Sequence, residues 1–272
     1  MNYSILMSVY YKENPEYLKQ AIESMLNQTI KSNDFVIVCD GMLTDELYKV
    51  LDFYESNPEN CIHKLQLDRN YGLGIALNKG LEVCKNELIA RMDSDDISIP
   101  YRCEIQIKKL LLENLSIVGS NVKEFLNSPN NIIGERKVPN KYKDILRFSK
   151  KRNPFNHPTV MFKKTAIKEV GSYLEDFHLF EDYHLWIRVI SKGYYCENID
   201  ESLVLMRTSY DMYYRRGGIL YANEMIRFRR WLKQYKWINI VDFITSAIPH
   251  YIICIFPNCI RKHLYLIIRK KH

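Results

Sequence analysis

"ARMDSDDISIPYR", residues 90–102, decides the reading of this chain. It closes an apolar run, "ELIARMD" (87–93), and sets Asp93, Asp95 and Asp96 within four positions. Three carboxylates that close repel one another and resist burial unless positive charge meets them. Upstream, strand-like and helix-like segments alternate. "YSILMSVY" (3–10), "DFVIVCD" (34–40) and "IHKLQL" (62–67) are short apolar runs rich in strand formers. Between them, Leu18, Ala21, Ile22, Met25 and Leu26 line one helical face behind Pro15, and Leu43, Leu47, Val50, Leu51 and Tyr54 line another. "GLGIALNKGLEVC" (72–84) is a third helix. Alternation of this kind predicts parallel βαβ units, with a ligand crevice beyond the carboxyl ends of the strands. Polar groups stand at all four ends: Tyr10 to Glu13, Asp40-Gly41, Asp68-Arg69-Asn70, and Asp93 to Asp96.

Downstream the pattern changes. A helix is expected from Pro100 to Glu113, a strand near "SIVGSNVKEF", and a hairpin or loop over "NSPNNIIGERKVPN" (127–140). "EDYHLWIRVISKG" (181–193) reads as a helix and "SLVLMR" (202–207) as a strand. From about Trp237 the composition shifts again. Phe243 to Ile260 is 18 residues without Asp, Glu, Lys or Arg, near the ~20 of a membrane span. Pro249, His250, Pro257 and Asn258 argue against a clean span. Beyond it Ile260, Leu264, Ile267 and Ile268 fall at helical spacing among Arg261, Lys262, Arg269, Lys270 and Lys271. A basic amphipathic segment of this kind suits a membrane interface. Packing on the domain and an oligomer interface are the other uses open to it. The expected organisation is one domain over residues 1–235, with a nucleotide-binding half (1–100) and an acceptor half (101–235), then a helical basic and aromatic tail (236–272).

The chain has 272 residues, a net charge of +7, 20 tyrosines and a hydrophobic content of 47%, which suits a globular protein with a real core. The tyrosines fit sugar or membrane contacts, and equally a compositional bias. Cysteines at 39, 61, 84, 103, 196, 254 and 259 form no C-x-x-C pair, so no structural zinc is expected. "MNYSILMSVYYKEN" lacks the basic start and long apolar core of a signal peptide. Reduced thiols in the cytosol are the expectation.

The carboxylate cluster has competing explanations. A calcium loop fails because Ile97 stands at a ligand position and Ser98 where the turn needs Gly. A phosphatase with an aspartyl nucleophile leaves Asp40, Arg69 and the Glu181-Asp182 pair unexplained. Asp96 or Ser98 could cap the following helix, but capping does not need three carboxylates. "YGLGIALNKG" has Leu77 where a dinucleotide fingerprint needs its third Gly. The reading that uses the whole cluster is Mn2+ or Mg2+ held between the carboxylates and a ligand's diphosphate.

The order of "ILMSVYYKENPEYLKQAIESMLNQT", "VIVCDG", "RNYGLGIALNKGL", "ARMDSDDISIPYRCEIQ", "NHPTVMFKK" and "EDYHLWIRV" resembles glycosyltransferase family 2 over residues 3–235. Within it the nearest branch builds bacterial capsules, O-antigens and exopolysaccharides. The resemblance implies an α/β GT-A fold: a Rossmann-like, mostly parallel sheet, an acceptor-side second half and, here, a C-terminal helical tail. It implies transfer, with inversion, from a nucleotide-diphosphate sugar to a hydroxyl of a lipid-linked oligosaccharide on polyprenyl diphosphate. The default donor is a UDP-hexose or UDP-N-acetylhexosamine. The enzyme would be cytoplasmic, held peripherally at the inner-membrane surface, with no nucleic-acid partner.

Carried over residue by residue, Ser8, Val9, Tyr10 and Glu13 line the nucleoside pocket. Asp40 contacts the base, with Cys39 in place of the family's preceding Asp. Arg69 and Asn70 continue the rim. Ala76-Leu77-Asn78 stands where the family often has Ala-Arg-Asn, which keeps Asn78 and leaves Arg69 or Arg91 to replace the missing arginine. Asp93, beside Ser94, faces ribose and metal. Asp95 holds the metal, and Asp96 is able to exchange roles with it. Asp182 is the general base with Glu181 beside it, and Trp186, one turn on, stacks on the acceptor ring. His157 touches diphosphate, acceptor or metal, or is structural. Arg207, Arg215 and Arg216 clamp the leaving diphosphate, or are solvated charge. One rival is a nucleotidyltransferase, but "SVYYKENPEY" lacks the Gly-rich basic loop it needs. The other is a non-catalytic scaffold, which both intact acidic sets oppose.

Overall fold

The parallel half forms as the periodicity predicts. In the computed structural model, which describes residues 2–177, 179–208 and 217–256, β1 (Ser4–Val9), β2 (Asp34–Cys39), β3 (Ile62–Gln66) and β4 (Leu88–Asp93) are strands. Helices α1 (Pro15–Leu26), α2 (Asp45–Glu55) and α3 (Leu73–Val83) connect them. All three strand contacts, β2–β1, β1–β4 and β2–β3, are parallel. β1 and β2 are covered on both faces and therefore read as unbroken apolar runs. Pro15 starts α1, and the Asn14 side chain accepts a hydrogen bond from the Glu16 N–H. Helix α3 lies very close on the sheet: a Cβ at Gly80 would stand 2.3 Å from Leu6 Cδ1.

The second half comprises β5 (Ile97–Ser98), α4 (Arg102–Leu112), β6 (Ile117–Leu126), β7 (Ile132–Arg136), α5 (Tyr142–Phe148), β8 (Met161–Lys163), α6 (Lys164–Glu169), α7 (Glu181–Ser191) and β9 (Cys196–Thr208). Two further helices follow, α8 (Ile219–Gln234) and α9 (Ile240–Ile255). Strand order is β3-β2-β1-β4-β8-β6-β9-β5, with β7 paired on β6. This order forces the sheet to curl. Only Ser94, Asp95 and Asp96 separate β4 from β5, yet β8, β6 and β9 lie between them in the ladder. Four ladder steps laid flat would cover about 19 Å, whereas four residue steps reach at most about 14 Å. The carboxylate loop is therefore the seam where the curled sheet meets itself.

Residues on both sides of the expected 235/236 boundary pack together. Phe228, Leu232 and Ile238 are buried in one cluster with Phe177, Tyr183 and Ile187, and Trp237 and Phe243 pack against it. The Trp237 indole donates to Ser149 Oγ at 3.1 Å. The boundary expected at 235/236 therefore runs through a packed unit, and α9 is part of the folded body. Among the described residues, no helix is long and apolar enough to cross a membrane. The basic stretch around Arg261 to Lys271, and Arg215 and Arg216, lie outside the described residues. Cys39, Cys61, Cys84, Cys103 and Cys196 are free thiols.

Candidate active site

The donor side is built on β4. Ser8 of β1 is in register with Asp93, and the chain then turns through Ser94, Asp95 and Asp96. Carboxylate oxygens of Asp93, Asp95 and Asp96 lie within 4.8 Å of one another. Burial, then Asp93 and Glu13, push Asp95 up to about 7. Burial and the two neighbouring carboxylates raise Asp96 well above the usual range. A buried cation pairs with the cluster: Arg91, two residues before Asp93 on the same strand face, is ion-paired with it and 1% exposed. Burial opposes the Arg91 charge, and Asp93 outweighs that opposition. Its Nε and Nη1 have no hydrogen-bond partner. Oxygen-only donors whose burial and mutual repulsion still hold Asp95 and Asp96 above their usual pKa, despite the arginines nearby, fit a hard divalent cation such as Mn2+ or Mg2+.

Arg207, at the end of β9, locks this loop. Its N–H donates to Asp96 Oδ1 at 2.8 Å and its Nε to the Asp95 carbonyl at 2.9 Å. Its Nη2 donates to Gln20 Oε1 at 2.7 Å, and its guanidinium lies 3.8 Å from the Tyr17 ring centroid and 4.6 Å from that of Phe125. The guanidinium expected to clamp a diphosphate is thus already engaged by the protein. With Asp96 buried and engaged by Arg207, Asp93 and Asp95 are the more open members. Ser94 Oγ donates to Glu13 Oε2 at 2.5 Å, joining two expected site residues across 81 positions.

Along the rim, the Asp40 carboxylate accepts the N–H groups of Tyr71 at 2.7 Å and Gly72 at 2.9 Å and is 3% exposed. It shapes the rim loop from behind instead of presenting itself to a base. Gly41, at φ +85°, allows the approach: a Cβ there would stand 2.7 Å from the Asn70 backbone nitrogen. Asn70 Nδ2 donates to the Asp40 carbonyl at 3.3 Å, and Arg69 lies over the Tyr71 ring. Tyr10 and Tyr11 are exposed and meet edge to face, while Val9 is core. Asn78 departs from expectation. Its amide bonds both backbone groups of Tyr173, at 2.7 and 2.9 Å, and fastens α3 to the second half.

The acceptor side opens at the N-terminus of α7. Asp182 Oδ2 accepts from Asn153 Nδ2 and Oδ1 from the Tyr183 N–H, each at 2.6 Å. Burial and Glu181 push Asp182 up to about 6. Glu181 is also raised by burial, and its Oε2 is buried without a partner. Trp186 does not face a sugar: it is 0% exposed and packs on Phe155, His157 and Tyr173. His157 shares a 2.8 Å hydrogen bond with Tyr173 Oη. Burial and Arg91 hold it well below its usual pKa. The Arg91 charge also favours the ionised forms of Glu181 and Asp182. Neither the Arg91–Asp93 pair nor Asn153 was singled out from sequence. Two-residue spacing on a buried strand could have found the first, and no local signal marks the second.

Residues 4–171 match the profile of Glycosyl transferase family 2. The chain belongs to that family. Relatives of this family 2 transferase include the Escherichia coli UDP-Gal:alpha-D-GlcNAc-diphosphoundecaprenol beta-1,3-galactosyltransferase, 37% identical over 97% of this chain and 94% of that protein. The Erwinia amylovora amylovoran biosynthesis glycosyltransferase AmsE is 35% identical over 87% of this chain and 89% of its own. The fold agrees with that of a Pyrobaculum calidifontis mannosyltransferase solved with GDP-Man and Mn2+, at TM-score 0.65 and 16% identity, over 85% of this chain and 64% of that one. The curled, mostly parallel sheet is the GT-A arrangement, and the nucleotidyltransferase rival falls away.

Proposed function

We propose that this family 2 transferase moves a hexose from a UDP-sugar, with inversion, to a sugar hydroxyl of a polyprenyl-diphosphate-linked saccharide during surface-polysaccharide synthesis. One observation carries the reading: a loop of three clustered carboxylates, ion-paired to the buried Arg91, accompanies a second buried carboxylate, Asp182, held by Asn153. Asp95 and Asp93 would hold Mn2+ or Mg2+, which when bound neutralises the charge that develops on a departing diphosphate. Tyr10, Glu13, Ser94 and the Arg69–Gly72 rim surround the nucleotide. Asp182, oriented by Asn153, takes the proton of the attacking hydroxyl in one in-line displacement. Glu181 tunes Asp182 through its charge. The E. coli relative, a UDP-galactose enzyme acting on a diphosphoundecaprenol-linked sugar, supports the donor and acceptor classes. A lipid-linked acceptor puts the work at the cytoplasmic face of the membrane.

The test is a panel of UDP-hexoses with a short-chain polyprenyl-diphosphate-GlcNAc acceptor, in Mn2+ or in EDTA. An α-linked donor should give a β-linked product, and EDTA should abolish transfer. Asp95→Ala should lose the Mn2+-dependent gain in UDP affinity and at least about 10²-fold in rate. Retained anomeric configuration, or full transfer in EDTA, would overturn the mechanism.

A further inference from the structure

Helix α9 has two faces of different fate. Ala247 and Cys254 are fully buried, and the Cys254 carbonyl accepts the Gly218 N–H at the start of α8. An adjoining face, roughly 100° round the helix, is exposed and apolar. Val241, Ile244, Ile248, Ile252 and Ile255 recur at three- and four-residue spacing, each between 45 and 62% exposed, and Phe256 continues the stripe. Sixteen residues make it about 24 Å long. An apolar stripe of that length, unbroken by charge, is unusual on a surface facing only water.

Charge identifies what covers it. Residues 243–272 contain no Asp or Glu and five Lys or Arg. A second copy laid on this face would bring two such basic segments together, with Asp242 the one carboxylate that α9 supplies. An anionic lipid surface supplies both an apolar layer for the stripe and counter-charge for the basic residues. The position of α9 also fits. The Tyr221 ring of α8 touches Phe180, next to Glu181, at 5.6 Å on one side and His250 of α9 at 6.1 Å on the other.

We propose that the outer face of α9 is a membrane-docking surface, lying in the plane of an anionic bilayer with Val241, Ile244, Ile248, Ile252 and Ile255 at the acyl boundary. Through Tyr221 and Phe180 this holds the base-bearing end of α7 at a fixed distance from the lipid surface. A diphosphate-anchored acceptor then meets Asp182 without leaving the membrane. The delivery role rests on the lipid-linked acceptor reading; the docking face does not.

The full-length protein is tested by co-sedimentation with phosphatidylglycerol/phosphatidylethanolamine vesicles and with neutral phosphatidylcholine vesicles. The wild type should bind the anionic vesicles at least tenfold more tightly. The triple variant Ile244→Glu, Ile248→Glu, Ile252→Glu should lose at least tenfold of that binding while hydrolysing UDP-sugar at the wild-type rate. Ile248→Glu alone should show a smaller loss in the same direction, which guards against misfolding of the triple variant. The proposal is overturned if the wild type ignores anionic vesicles at low salt, or if both variants bind as tightly as the wild type. It is equally overturned if sedimentation velocity finds a dimer that the triple variant splits with vesicle binding unchanged. A wild type that binds vesicles yet transfers nothing to a lipid-linked acceptor upholds the docking face and counts against the acceptor reading.

Discussion

Asp182 illustrates how far single residues could be read. A base must be ionised, and burial with Glu181 pushes Asp182 up to about 6. Falling pH therefore protonates it, and kcat should drop about tenfold per unit below that value. Asn153 donates to the ionised carboxylate and holds its pKa down. Asn153→Ala should move the acid limb to higher pH, which a pH–rate profile reads directly. Asp182→Asn should cost about 10²–10⁴-fold in transfer with UDP-sugar affinity kept. If Glu181→Gln is the inactive variant and Asp182→Asn transfers normally, the two roles are exchanged. The carboxylates were legible because they end strands or open a helix, places where local pattern and ligand geometry coincide. Asn153 stands 29 residues from its partner in a loop, where no periodicity points. Arg207 was legible as a cation beside the site, but only the fold reveals that its fork is already filled.

At the scale of elements, the parallel strands and their helices were legible because burial on both faces or one stripe writes itself into apolar spacing. β5 was not, since a two-residue strand carries no period. Trp186 misled for a related reason. Spacing puts it on the Asp182 face, but every residue of α7 from Tyr183 to Ile190 is buried. A helix covered all round has no open face to assign. The turn after β2 offers a sharper test. Gly41→Ala puts a Cβ against backbone, not a movable side chain, at a left-handed φ. It should cost about 1–3 kcal/mol and push the rim loop away from Asp40. Thermal melting and calorimetric UDP titration should both register the change, and a variant with unaltered stability and affinity would contradict this account of the rim.

For the whole molecule, the packed end of the chain was the least legible part, because a helix rich in apolar residues reads alike whether protein or lipid covers it. Phe228 makes the distinction measurable. It is fully buried and contacts Phe177, Phe180 and Trp231. Phe228→Ala should destabilise the protein by about 3–5 kcal/mol. Because Phe180 precedes the acidic pair, it should also lower kcat more than donor affinity. A mere appendage would leave both the melting temperature and kcat unchanged. The seam at Ser94–Asp96 has a consequence in time. Ile97 and Ser98 pair with Leu205 and Val204, and Asp96 accepts the N–H of Arg207, 111 residues downstream. Chains emerge from the ribosome N-terminus first. The Rossmann-like half is thus synthesised long before the strand that fastens its carboxylate loop, and the donor site waits for β9 to be complete. A partial product that ends before Val204 lacks the strand that fastens the carboxylate loop.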